Sequence, residues 1–502
     1  MPAPSPSPLL RRSPVSGLAR RTMAFPEVLA QSVAAVAPSA VMVTVPAVVH
    51  PVAGAWSALV FALVAVLMTG VGAAVNVFAG RMVGVSGLYG FTVRGLGPGP
   101  GVVAGAAMAI GYGGAACVGV LGAGQFGLAA LDDGARLLGS PPGPLGDPGP
   151  GLSAVAAVLA AVGVVVLLVR GVRASARAVL VTETVAITVV LVVLVVVAAS
   201  DLSISAGLTT ALAPGQWGVA LLLATMAFVG FESSTTLASE SRQPMVTVPR
   251  AVRWTPLVAA SLYVVASLLF GADLAAGGTS DRLAWSLAGG DGAPALELLL
   301  NLGITASWVA CALGSVTALA RIVFTMAREG LLPPVLGRVS AASGTPSAAI
   351  VLVGAHLAVV PAVLLLVGFS VPALFVLVMT MSAFGYLLGY VLVCLAAPAL
   401  LGRLEERTRL GAVVPRVVAG VLVVIVLWGA ATGGAWAVGG FVAYGLVVGA
   451  ALALWRRRAR RRGLALGLYD EPTRADVLRP DAPGARRSPG APGAHRSPGT
   501  RP

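Results

Sequence analysis

The chain has 502 residues, 57% of them hydrophobic and only 10% charged, with a formal net charge of +14; a soluble domain carries about 25% charged residues. That balance excludes an ordinary soluble enzyme, a disordered chain and a nucleic-acid-binding module. It leaves an integral membrane protein of many spans, whose positive charge reports topology.

Residues 1–24 are rich in Pro, Ser and Arg and predict a disordered tail. Apolar stretches follow over 28–49, 53–78, 101–130, 152–169, 178–199, 216–240, 255–272, 295–319, 347–368, 371–396, 416–432 and 436–455. Most approach the roughly 20 residues a spanning helix needs. The two-residue alternation of an outer-membrane barrel is absent, so about 12 helices across 25–455 are predicted, their backbone groups paired within each segment. Residues 456–502 open on an arginine cluster, Arg456 to Arg462. They end in a near-duplicate, APGARRSPG followed by APGAHRSPG. This second tail is predicted to be disordered, with the cluster pinning the last helix at the inner leaflet.

All 33 basic residues are Arg. With twelve spans, all but Arg136 and Arg282 fall in the tails and in alternate connections. The positive-inside rule then puts both termini in the cytoplasm and the chain in the cytoplasmic (inner) membrane. Cys117, Cys311 and Cys394 lie in apolar runs, which argues against a disulfide framework or a zinc site. No stretch reads GxxxxGK[ST], which excludes direct use of ATP. The longest outer loops, 131–151 and 273–294, are Gly, Pro and Asp without the paired His expected of a membrane-embedded enzyme. A transporter, not an enzyme, is expected, with no cofactor and no resident metal.

A solute pathway needs polar groups at membrane depth, and broken helices expose them. The first span carries Pro38, next to Ser39, and Pro46; the sixth reads ATMAFVGFESSTTLASE, with Gly230 followed by Glu232 and four hydroxyl residues. A lone proline or glycine in a membrane helix marks a kink or close packing. Two breaks in spans one and six, each beside polar groups, predict instead a solute site, at the separation that a five-plus-five inverted repeat would require.

GFESSTTLASESRQPMVTVPRAV at 230–252, ARIVFTMAREGLLP at 320–333 and AGRMVGVSGLYGFTVRGLGP at 79–98 occur in the order seen in one family. On these motifs the chain resembles the amino acid–polyamine–organocation superfamily of permeases over about residues 25–455. The resemblance implies an all-α membrane fold of two inverted five-helix repeats, with broken helices 1 and 6, plus two extra helices, working by alternating access on an amino acid or amine substrate. It places the substrate carboxylate near Ala37, Pro38, Ser39 and Ala40, and the amine near Phe228, Val229 and Gly230. Many members carry Gly-Ser-Gly in the first span, where this chain has Pro-Ser-Ala, so a polyamine or other amine stays open as the substrate.

Phe228, Phe231 and Tyr112 are the aromatics near the expected site, as a lid or cation–π surface or as packing. Glu232 and Glu183 are the deepest acids. Glu232 is assigned to proton coupling or gating; Glu183 is assigned either to that role or to a structural hydrogen bond. Proton import is the expected driving force. Sodium symport, with Ser307, Ser315 and Thr317 as oxygen ligands, and solute exchange are the alternatives.

Overall fold

The structure is a computed structural model that describes residues 13–141, 143, 145–146, 148–199, 214–275, 294–433, 435–461 and 466–470. The expectations for residues 1–12 and 471–502 and for Arg282 and Arg462 lie outside these. Among the described residues there is no strand, only the isolated bridges Met23–Ser241 and Gly84–Tyr469. The chain is an all-α membrane protein, as predicted. Among the described residues, eight helical stretches are long and apolar enough to cross a bilayer, including Phe25–Ala79, Pro98–Leu137 and Pro294–Arg328.

The first apolar segment forms two helices, α1 (Phe25–Val36) and α2 (Pro38–Ala53). There follow α3 (Ser57–Ala79), α4 (Leu88–Leu96), α5 (Pro98–Leu137), α6 (Pro150–Arg170), α7 (Val172–Ala199) and α8 (Pro214–Met226). Turns at 227–232 lead into a 3₁₀ helix, Ser233–Glu240. The remainder is α9 (Pro244–Ala275), α10 (Pro294–Arg328), α11 (Ser347–Leu366), α12 (Val371–Arg403), α13 (Arg409–Gly433) and α14 (Ala435–Arg461).

The first helix stops where sequence predicts, for a backbone reason. Pro38 has no N–H to continue the α1 ladder. Ala37 turns into the left-handed region (φ 50°, ψ 57°), its amide bonded back to Val33 O at 3.0 Å, and Pro38 opens α2 as its first residue. α8 stops at Met226, and Gly230 supplies the positive φ (+93°) that the following turn needs.

α10 packs along α5 and reaches α1, α2 and α7, while α12 lies against α5. Close approach needs small residues: a Cβ on Gly314 would stand 2.8 Å from the Ala35 amide nitrogen. Outward faces remain apolar, as at Val66, Leu159 and Leu427, which suits contact with lipid chains.

Two regions differ from expectation. The 79–98 connection contains α4, bracketed by Gly87 (φ +52°) and Gly97 (φ +93°), with Tyr89 and Phe91 buried. Residues 13–24, assigned by composition to a disordered tail, are packed instead. Val15 and Leu18 bury against Val85 and Phe324, and the amides of Arg21 and Met23 bond Ser239 O and Glu240 O. At the other terminus Asp470 accepts from Ser13 Oγ at 2.7 Å and pairs with Arg20 at 2.7 Å. Ordering is possible because partner groups exist far away in the chain, which local composition does not reveal.

Candidate functional site

The breaks of the first and sixth passes meet. A Cβ on Gly230 would lie 3.0 Å from the Ala35 side chain and 3.2 Å from its carbonyl oxygen. Ser233 Oγ donates to Gln31 O at 3.0 Å, and Gln31 Nε2 donates to Gly314 O at 2.8 Å, tying α1 to the 3₁₀ segment and to α10. Beside this junction lies a cavity of about 30 Å³. Val36, Val41, Ala115, Val229, Trp308 and Met379 give it apolar walls, with Cys311 and Ser382 as its softer polar atoms. That volume is on the scale of a water molecule.

The free amides at the α2 N-terminus point to an anion, as a helix dipole favours. The anion is the chain's own. Ser39 N and Ser39 Oγ donate to Glu183 Oε1 at 3.0 and 2.9 Å. Ala40 N donates to Ser307 Oγ at 3.2 Å, and Ser307 Oγ donates to the same Oε1 at 2.9 Å. Glu183, Ser39 and Ser307 are all fully buried. Thus Ala37, Pro38, Ser39, Ala40 and Glu183 form one cluster, with Ser307 drawn in from α10.

Glu232 sits in a second cluster. Tyr112 donates to its Oε1 at 2.8 Å and Tyr390 to its Oε2 at 2.6 Å, while the Gly230 amide donates to the Tyr390 hydroxyl at 3.1 Å. Both carboxylate oxygens are therefore held by phenols. Phe228 meets Tyr263 edge-on with centroids 5.2 Å apart, and Phe231 meets Tyr390 at 5.7 Å. Both phenylalanines pack between helices, and of the sixth-pass residues expected at the site only Val229 lines the cavity, joined there by Met226.

Tyr390 and Trp308 escape sequence reasoning. The run GYLLGY at 385–390 puts Tyr386 and Tyr390 four apart on one face of α12, a signal visible in the sequence but without an address. The Tyr386 hydroxyl, Trp308 Nε1 and Glu183 Oε2 are buried with no hydrogen-bond partner.

Interrupted helices that meet at a small buried cavity, in an all-helical membrane protein, define the architecture of a solute transporter. Residues 29–452 match the amino acid permease family, and the chain belongs to that family. It is 29% identical over 131 residues to the branched-chain amino acid permease BcaP of Lactococcus lactis subsp. cremoris (strain MG1363), a match over 25% of this chain and 28% of that protein's length. Its fold is similar to that of MhsT, whose crystal structure holds L-phenylalanine. The TM-score is 0.63 at 14% identity, over 84% of this chain and all of the other.

Proposed function

We propose that the chain is a secondary active transporter of amino acids in the cytoplasmic membrane, working by alternating access and driven by proton import. The observation that carries this reading is the contact of the two helix breaks, Ala35 against Gly230, beside a small apolar cavity. A space of about 30 Å³ holds no amino acid, so loading requires the broken halves to swing apart towards one side and then the other. The arginine-rich end, with both termini, faces the cytoplasm.

Apolar side chains are the favoured cargo. The cavity walls are Val, Ala, Met and Trp, and the two similar proteins are described with branched-chain amino acids and with phenylalanine. Proton coupling is favoured because Glu183 is fully buried and its Oε2, which has no hydrogen-bond partner, can take a proton. Glu232 serves as the gating acid that pins the Gly230 turn. A second reading, an amine permease, draws on the same carboxylate, which fills the anion site.

Uptake of radiolabelled amino acids and amines into proteoliposomes, with and without an imposed pH gradient, tests the proposal. Leucine, valine or phenylalanine should accumulate only with the gradient inward. Accumulation of amines alone would replace the reading with the second one, and accumulation of nothing would end both.

A further inference from the structure

The N-terminus of α2 has two amides to offer, and both are in use. Pro38 has none, and the Val41 amide already bonds Ala37 O at 2.9 Å. Ser39 N is taken by Glu183 Oε1, and Ala40 N by Ser307 Oγ, which itself donates to that oxygen. No donor remains for a second anion. Yet Glu183 is lopsided: Oε1 accepts three hydrogen bonds, while Oε2, equally buried, has no partner.

Among the described residues, no cation pairs with it. The titratable groups facing it are the Tyr263 hydroxyl of α9 and the Cys311 thiol of α10. Among the charged residues of the helices packed around it, Glu27 of α1 and Arg177 of α7 pair with each other at 2.8 Å. Glu297 and Arg321 of α10 pair with Arg136 and Glu240. Arg250 of α9 lies over Phe25, Arg253 is exposed, and Arg170 ends α6. His50 of α2 is about three turns along that helix from Ser39.

We infer that Glu183 is a resident stand-in for the substrate's carboxylate: ionised, it keeps an amino acid carboxylate off the Ser39 and Ala40 amides, and a proton taken onto Oε2 releases them. The inference rests on the amino acid transport proposed above. Two carboxylates about 4 Å apart without a cation repel by enough to weaken binding about a thousandfold, at an effective dielectric constant of about 20. A neutral Glu183 loses its attraction to the helix dipole, while the incoming carboxylate keeps it. One negative charge therefore occupies the terminus throughout, and one proton enters with each amino acid. The proton comes from water on the open side and returns to water when the carboxylate leaves.

The full-length protein in lipid nanodiscs, titrated calorimetrically with L-leucine in buffers of different ionisation enthalpy, counts the protons directly. The wild type should take up close to one proton per leucine. Its affinity should fall about tenfold per pH unit once the pH exceeds the Glu183 titration. E183Q should bind leucine with no proton uptake and no pH dependence between about pH 5 and 8. Ser39→Ala removes one donor from the ionised carboxylate and should move the wild-type pH profile upward by about one unit; this variant and the wild-type count decide the matter if E183Q does not fold. Leucine binding without proton uptake in the wild type would overturn the inference alone. So would tight binding of 3-methylbutylamine, the analogue without a carboxylate, with Glu183 then acting as its counter-ion. No leucine binding at any pH would overturn the transport reading as well.

Discussion

Arg321 of α10 and Glu240 at the end of the 3₁₀ segment hold each other, Nη2 and Nε lying 2.5 and 3.1 Å from Oε1, and both side chains are buried. They belong to the two motifs at 320–333 and 230–252, 81 residues apart in sequence. The pair therefore clips the sixth pass to the eighth near the packed N-terminal residues, where the Met23 amide bonds Glu240 O. Removing one partner strands a buried charge, which costs about 3–5 kcal/mol, whereas an apolar pair of similar volume is close to neutral. Arg321→Met alone should lower the Tm of the purified protein sharply, and Arg321→Met combined with Glu240→Leu should recover most of it. Equal loss in both variants would show that the pair's charge is not what the fold needs.

The two breaks respond in opposite ways to glycine exchange. Gly230→Ala forces a side chain to φ +93° and into Ala35, at a cost of about 1–3 kcal/mol and with displacement of the α1–Gly230 contact. Ala37→Gly relieves a left-handed alanine at φ 50°. Uptake should therefore be severely reduced in the first variant and near wild type in the second, with thermal unfolding following the same order.

Glu232 and Glu183 separate by their partners. With Tyr112 and Tyr390 on both oxygens, Glu232 shapes the Gly230 turn. Tyr390→Phe removes a hydrogen bond to a charged group, worth about 1.5–3 kcal/mol, and leaves the Gly230 amide without its acceptor. Stability and maximal uptake should fall while the pH profile of uptake stays in place. Glu183→Gln should flatten that profile. Reversed results would assign the proton to Glu232.

Beyond the end of α10, Glu329 anchors the second tail. Its Oε1 accepts from the Gly467 and Leu468 amides at 2.7 and 2.8 Å, and Tyr89 donates to Oε2. Burial pushes its carboxyl up to about 6, against the lowering by these donors. The docked state therefore binds the proton more tightly than the undocked state. Its contribution is fullest below the ordinary carboxylate value of 4.5 and is lost as pH rises through about 6, amounting to roughly 2 kcal/mol. Hydrogen exchange of residues 466–470, corrected for intrinsic rates, should show more protection at the acid end. Glu329→Gln should remove the difference.

Much of this protein was legible without coordinates. Spanning helices follow from apolar length, since lipid leaves no other way to pair a backbone. The break at Ala37 and the turn at Gly230 follow from proline's missing amide and glycine's freedom at positive φ. The three motifs identified the permease family. These are local properties, written within a few residues of one another.

Partnership is not local, and there the tertiary structure decided. Ser39 invites an anion, but that Glu183, 144 residues on, answers it could not be read from either segment. Nor could the phenols around Glu232, the turning of Phe228 towards Tyr263, or the tie between Ser13 and Asp470. Sequence determined that the chain crosses the bilayer as helices and where the first and sixth passes break, because those costs arise in the backbone of single residues. Only the packing of distant helices determined which buried charge meets which donor, because that energy depends on a distance the chain sets in three dimensions.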